Sequence, residues 1–396
     1  MSYRLISLHL CAAGLLALAA CNTTSVRTAE YTPVAHDLEP VPEAELLDVG
    51  IGIFNPGVDG LSKEEAGVYP EVRKAEARFM PYTLMETLQQ TGSWGVVRVI
   101  PDRQSEMDVW VDAEILKSDG ESLKLNVTVS DATGRTWYTR KYEETATKYA
   151  YDVRRGTKED PFQGIYNRIA NDMASYRRLL GATDITAIRT VTQLQFARRF
   201  APDAFADYLV DDGKGHYRIS RLPPDNDPLL QRIQRIRERD YMFVDTLQDY
   251  YGSFVTRMEE PYRSWRSESY TETMALREAR TKAYTKLIGG GAAILAGILG
   301  VASGSQIGQA AGYVGIMGGA YAVKEGLGDR EGVKMHVEAL KELGASLDSE
   351  VKPATVTLED RTVTLSGTVA DQYGQWRAIL KDIYQTETGQ GAPTSD

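Results

Sequence analysis

No other stretch constrains this chain as much as residues 287–323. For 37 residues there is no charged side chain, and 11 of them are glycine. Gly300, Gly304, Gly308 and Gly312 recur at every fourth position. On a helix they share one face and leave a groove without Cβ atoms, into which a second helical backbone fits. Glycine costs a helix about 1 kcal/mol per residue relative to alanine, so four in register call for a packing reason. One membrane span does not explain the whole run, because at 1.5 Å per residue it would extend about 55 Å against a hydrocarbon core of about 30 Å. Its most polar point, Ser303-Gly304-Ser305-Gln306, lies near the middle and suits a turn between two short helices. The zipper register crosses that point, which suits one continued helix whose groove receives a neighbouring protomer. Gly, Ala, Ser and Gln dilute the apolar character, so such a segment can be exported and inserted later. A membrane-associated hairpin is the first expectation, with a soluble buried hairpin and an inner-membrane anchor as alternatives.

The first twenty residues read as a targeting segment, with Arg4 as the positive region, Leu5 to Leu18 as the apolar region and small residues before Cys21. Leu18-Ala19-Ala20-Cys21 resembles the lipobox of bacterial lipoproteins, in which a peptidase cuts before a diacylated cysteine. That resemblance implies lipidation at Cys21, with palmitate among the acyl chains. Asn22 in place of the aspartate that retains many lipoproteins in the inner membrane implies the outer membrane. Cys11 would leave with the signal, so Cys21 would be the one cysteine of the mature chain and no intramolecular disulfide could form. Residues 21–45, rich in Thr, Pro and acids without an apolar period, read as a lipidated flexible tether.

Beyond the tether the patterning predicts an α+β domain over 46–181. A strand at Leu46 to Phe54 precedes a helix from Pro70 to Gly92 that Pro81 could break. Further strands are expected at Gly95 to Ile100, Asp108 to Leu116, Leu123 to Val129 and Thr136 to Tyr142, the last three as an antiparallel meander. A helix from Pro161 to Leu180 closes the domain. The order of these elements resembles the periplasmic domains of the curli-secretion lipoprotein and of auxiliary lipoproteins of lipid-transport ABC systems. Residues 182–286 read as helical. Asp227 as N-cap and Pro228 at the first helical position start a long helix that Pro261 should break or kink. Arg277, Glu278, Arg280, Lys282 and Lys286 crowd before the glycine run, at what would be headgroup level. After it, 324–386 reads as a small αββα unit, with a helix stopped by Gly344 or Pro353, a hairpin around Glu359-Asp360-Arg361 and a helix from Tyr373 to Tyr384. Thr362 to Val369 is similar to the glycine-bearing strand of BON domains, which bind phospholipid or envelope proteins. Residues 387–396 read as tail.

Little in the chain points to catalysis. His36, His216 and His336 stand more than a hundred residues apart, without metal-ligand or triad spacing. The glycines at 289–291 lack the Lys-Ser/Thr of a phosphate loop, and Asp211-Asp212 and Glu259-Glu260 read as solvated surface acids. A formal charge of −10 and pI near 5.2 argue against nucleic acid as a partner. Tyr241, Phe243, Tyr250, Tyr251, Phe254, Tyr262, Trp265 and Tyr270 form either an interfacial belt or docking groove, or a helix-helix core, with the core preferred. The expectation is a non-enzymatic outer-membrane lipoprotein, mostly periplasmic, that works in assembly or interaction and needs no cofactor beyond the lipid on Cys21. Its expected partners are membrane lipid, through Cys21 and residues 287–323, and envelope proteins or further copies of itself. An oligomeric pore or export-channel component and a lipid-tethered enzyme or ligand carrier are the alternatives.

Overall fold

The computed structural model describes residues 32–36, 39–58, 69–101, 103, 106–147, 149–152, 159–301, 331–348, 354–358 and 361–388, with the backbone alone at 276, 279–280, 282–301, 331–335, 346–348, 358 and 361. The fold class is α+β, as the patterning predicts. A five-stranded mixed sheet has the order β2-β1-β3-β4-β5, from β1 (Val49–Gly52), β2 (Val97–Ile100), β3 (Val109–Ser118), β4 (Ser122–Asp131) and β5 (Thr136–Thr145). The expected meander is present, with β3–β4 and β4–β5 antiparallel. Strand β2 runs parallel to β1, because α1 (Pro70–Thr91) carries the chain back across the sheet between them, and β3 pairs parallel with β1 on its other side. Along β4, Leu123, Leu125, Val127 and Val129 are buried while Lys124, Asn126 and Thr128 are partly exposed. The strand therefore has one dry and one wetter face.

Helix α1 passes through Pro81 without a break. A proline at 81 has no N–H to offer the carbonyl of Ala77, and that carbonyl instead accepts the N–H of Phe54 at 3.0 Å, just beyond β1. The helix ends where expected, with Gly92 left-handed at φ 67°. Helix α2 (Gln163–Arg177) lies against α1 and β5, and α3 (Ala182–Phe200) is followed by a short α4 (Pro202–Phe205) and a two-stranded hairpin of β6 (Leu209–Asp211) and β7 (Tyr217–Ile219).

Helix α5 is one element from Pro228 to Val301, 74 residues, roughly 110 Å long at 1.5 Å per residue. Asp227 caps it, accepting the N–H groups of Leu229 (2.8 Å) and Leu230 (3.2 Å). The expected break at Pro261 does not occur. The carbonyl that Pro261 cannot satisfy belongs to Arg257, an exposed residue, where water can take the place of the missing donor. Buried neighbours on both sides, Phe254, Met258, Tyr262 and Trp265, hold the helix to the body across that position.

Helix α6 (Glu331–Asp348), the hairpin of β8 (Ala354–Leu358) and β9 (Arg361–Leu365), and α7 (Val369–Glu387) follow in the expected αββα order. Gly344 does not stop α6; it packs near Ala75 of α1, and the helix ends before Pro353. Thr368 and Asp371 form a capping box at the start of α7. Leucine, aromatic and β-branched residues from the sheet, α1–α3, α5, α6 and α7 join in a single hydrophobic core. The segment read as a flexible tether is held in its later part. Asn167 and Asn171 of α2 donate to the carbonyls of Thr32 and Pro33, both at 2.9 Å, and Asn171 accepts the N–H of Ala35 at 2.8 Å.

Candidate functional site

The feature that leads to the glycine run is α5, and its seat is built from side chains that sequence patterning does not single out. Strand β2 is an edge of the sheet, and Gln248 closes it. Its side chain accepts the N–H of Val99 at 2.9 Å and donates to the Val99 carbonyl at 3.0 Å, as a neighbouring strand would. Beside it, Arg98 of β2 forms a bidentate pair with Asp245. Fourteen residues beyond Gln248 on α5, Tyr262 donates to Glu76 at 2.7 Å, and the Ser118 hydroxyl donates to the same oxygen. Glu76 is fully buried, and burial pushes its pKa up against the pull of Arg73, Ser118, Tyr262 and Arg266.

Arg266 is the firmest post. Its Nη1 lies 3.0 and 2.9 Å from the two carboxylate oxygens of Asp160, ahead of α2, and its guanidinium sits 4.1 Å from the ring centre of Tyr262. Burial acts to lower its pKa, but Asp160 and the phenols of Tyr262 and Tyr151 hold it raised, so the group stays charged in the interior. Gly120, at φ 76° in the β3–β4 turn, lets that turn meet the backbone of α5 at Arg266 and Tyr270, where a Cβ would collide. Beyond it, Thr273 donates to the Asp119 carbonyl at 3.5 Å and Arg277 pairs with Glu121. In the first half of α5, before Gln248, Arg377 of α7 bridges Asp240 (2.7 Å) and Glu106 (3.4 Å), and Arg199 pairs with the same Glu106. Burial raises the pKa of both acids, opposed first by Arg377.

The chain returns to α5 through α6. His336 Nε2 lies 3.2 Å from Glu268 Oε1, two residues from Arg266. The chain rejoins α5 nine residues before Arg277, the last α5 side chain placed on the body above, so the two flanks of the glycine-bearing segment lie close together. Gly300 is in the last turn of α5; Cys21, Gly304, Gly308 and Gly312, with the expected turn at 303–306, lie outside the described residues. No helix among the described residues is long and apolar enough to cross a membrane.

The remaining sequence candidates are dispersed. His216 pairs with Asp212 at 2.8 Å on an exposed loop, where His216 and the Lys214 N–H lower the Asp212 pKa. Among the described residues no group of His, Cys, Asp or Glu could hold a metal ion. Of the aromatic crowd, Phe243, Tyr251, Phe254, Tyr262 and Trp265 are buried; Tyr262 stacks on Trp265 at 5.8 Å and Phe243 on Trp376 at 5.0 Å. These are core contacts of α5. A cleft of about 680 Å³ includes Arg103, Arg198 and Arg199, and a second of about 480 Å³ includes Arg189 and Arg237. Each of these cations is committed inside the protein: to Asp112, Asp211 and Glu106 in the first, and to the Glu43 and Ala44 carbonyls and the Tyr241 hydroxyl in the second. No family model, curated protein or solved structure matches the chain.

Proposed function

We propose that this protein is a non-enzymatic lipoprotein of the bacterial outer membrane, anchored through Cys21, whose body holds a glycine-zipper hairpin at the bilayer for assembly or interaction. The observation that carries the reading is the meeting of His336 with Glu268. An apolar segment that leaves and re-enters a folded body at one place must double back, and membrane hairpins have that property. The midpoint between those two contacts is residue 302, next to Ser303-Gly304-Ser305-Gln306, the most polar point of the run. The lipobox-like Leu18-Ala19-Ala20-Cys21 and the cations before Leu287 support the same reading.

A cysteine pair tests it. Leu287 and Met317 are equally far from residue 302, so a hairpin brings Leu287→Cys and Met317→Cys together, whereas a continued helix separates them by about 45 Å. Oxidation of the membrane fraction should give an intramolecular disulfide. Exclusively intermolecular products, or none, would overturn the hairpin.

A further inference from the structure

On the reading above, both segments bound for the membrane leave the body, and we propose that they leave by the same end, so that the end formed by the β3–β4 turn faces the bilayer. Two independent sets of contacts give the direction. The N-terminal segment runs along α2 from its first turns to its last. Thr32 is held by Asn167, Pro33 and Ala35 by Asn171, and Glu45 by Arg177 through its carbonyl at 3.2 Å. Followed back towards Cys21, the chain thus moves to the N-terminal end of α2. That end lies beside Asp160, where Arg266 of α5 is seated, and Gly164 there faces the carboxylate of Glu144, near the end of β5.

Helix α5 travels the same way. It runs past Glu106, ahead of β3, at Tyr241, whose hydroxyl donates to the Glu106 carbonyl at 3.4 Å. It passes β2 at Gln248 and reaches the β3–β4 turn at Thr273 and Arg277. From Arg277 the helix continues 24 residues to Val301, about 36 Å at 1.5 Å per residue. Ten residues lie between Cys21 and Thr32, so the eleven steps of chain span at most about 40 Å when extended. A lipid at Cys21 and the glycine run can therefore meet one bilayer surface only if this end is turned towards it.

The rim of that end is charged but balanced. Lys117 pairs with Asp119 at 3.0 Å, Lys124 with Glu143 at 2.8 Å and Arg277 with Glu121. Those pairs leave the β3–β4 rim itself with little long-range attraction for anionic lipid, and Arg280, Lys282 and Lys286 follow it in the sequence of α5. The partner this end fits is the headgroup layer of the bilayer that both segments enter, with orientation set by the two insertion points.

Energy transfer from a donor dye on the protein to headgroup-labelled lipid measures the orientation. The lipidated full chain is reconstituted in phosphatidylcholine–phosphatidylethanolamine vesicles and labelled at Lys117→Cys or at Leu179→Cys. Lys117 is exposed near the end of β3; Leu179 is exposed just past the far end of α2. Leu179 stands sixteen residues along α2 from Gln163, which puts it higher than Lys117 by about 24 Å. Transfer from position 117 should exceed that from 179 by about twofold or more, and 20% phosphatidylglycerol, used as a probe at about that level, should leave the ratio unchanged. Equal or reversed transfer from protein that still floats with the vesicles overturns the orientation and leaves the lipoprotein reading standing. Protein that does not float overturns both.

Discussion

Replacing Arg266 by methionine removes the α5 cation that pairs with Asp160 while keeping a long apolar stem. Both partners are buried, with side chains 5% and 10% exposed. Loss of one member of a buried pair costs about 3–5 kcal/mol, since the other charge is left uncompensated. Asp160 would keep the N–H of Phe162 at 2.8 Å, which sets the expectation at the lower end, about 3 kcal/mol. Asp160→Asn in the Arg266→Met background should cost far less than it does alone, giving a coupling of about 2 kcal/mol in a double-mutant cycle. Urea unfolding of the Cys21→Ala chain in mild detergent, followed by tryptophan fluorescence, reads this directly because Trp265 is the neighbouring residue. A loss below about 1 kcal/mol, the scale of a surface pair, would refute the view that Arg266 fastens α5 to the body.

Three further outcomes follow from the same contacts. Glu76→Gln should become more favourable relative to the native chain as pH rises. Burial raises the folded pKa of Glu76 above its ordinary value of 4.5, so stability it contributes below that value is lost as pH climbs through the folded pKa; urea midpoints for both chains between pH 4 and 8 check the sign. Asp227→Ala should lose about 1 kcal/mol by removing the cap of α5, whereas Asp225→Ala, two residues before it, should change the urea midpoint little. Gly304→Leu with Gly308→Leu should shrink the detergent-solubilised complex or alter dye leakage from vesicles; if neither moves, the glycine face is not an assembly face.

Much of the fold was legible because it rests on local pattern. The alternation in β4, the glycine after α1 and the Asp227-Pro228 start of α5 each act over a few residues. Prolines misled, because their effect depends on tertiary partners: Phe54 uses the carbonyl freed by Pro81, and Pro261 lies between buried anchors that keep α5 in one piece. The parallel pairing of β1 with β2 needed knowledge of where α1 packs. Least legible was the seat of α5. Gln248, Glu76, Arg266 and Arg377 are single polar residues within amphipathic helices, and nothing along the chain marks which of them face inward. The same holds for Asn167 and Asn171, whose amides turn part of an expected tether into an ordered strap. The glycine repeat was visible from the start, and what the fold adds is that its two flanks meet at Glu268 and His336.

The most direct measurement is alkaline carbonate extraction of membranes from cells that export the Cys21→Ala chain behind a cleavable signal. With the lipid anchor gone, residues 287–323 alone must hold the protein in the bilayer. We expect it to remain in the carbonate-resistant pellet, and a further deletion of 287–323 to release it. Release of Cys21→Ala itself into the soluble fraction would contradict the membrane hairpin.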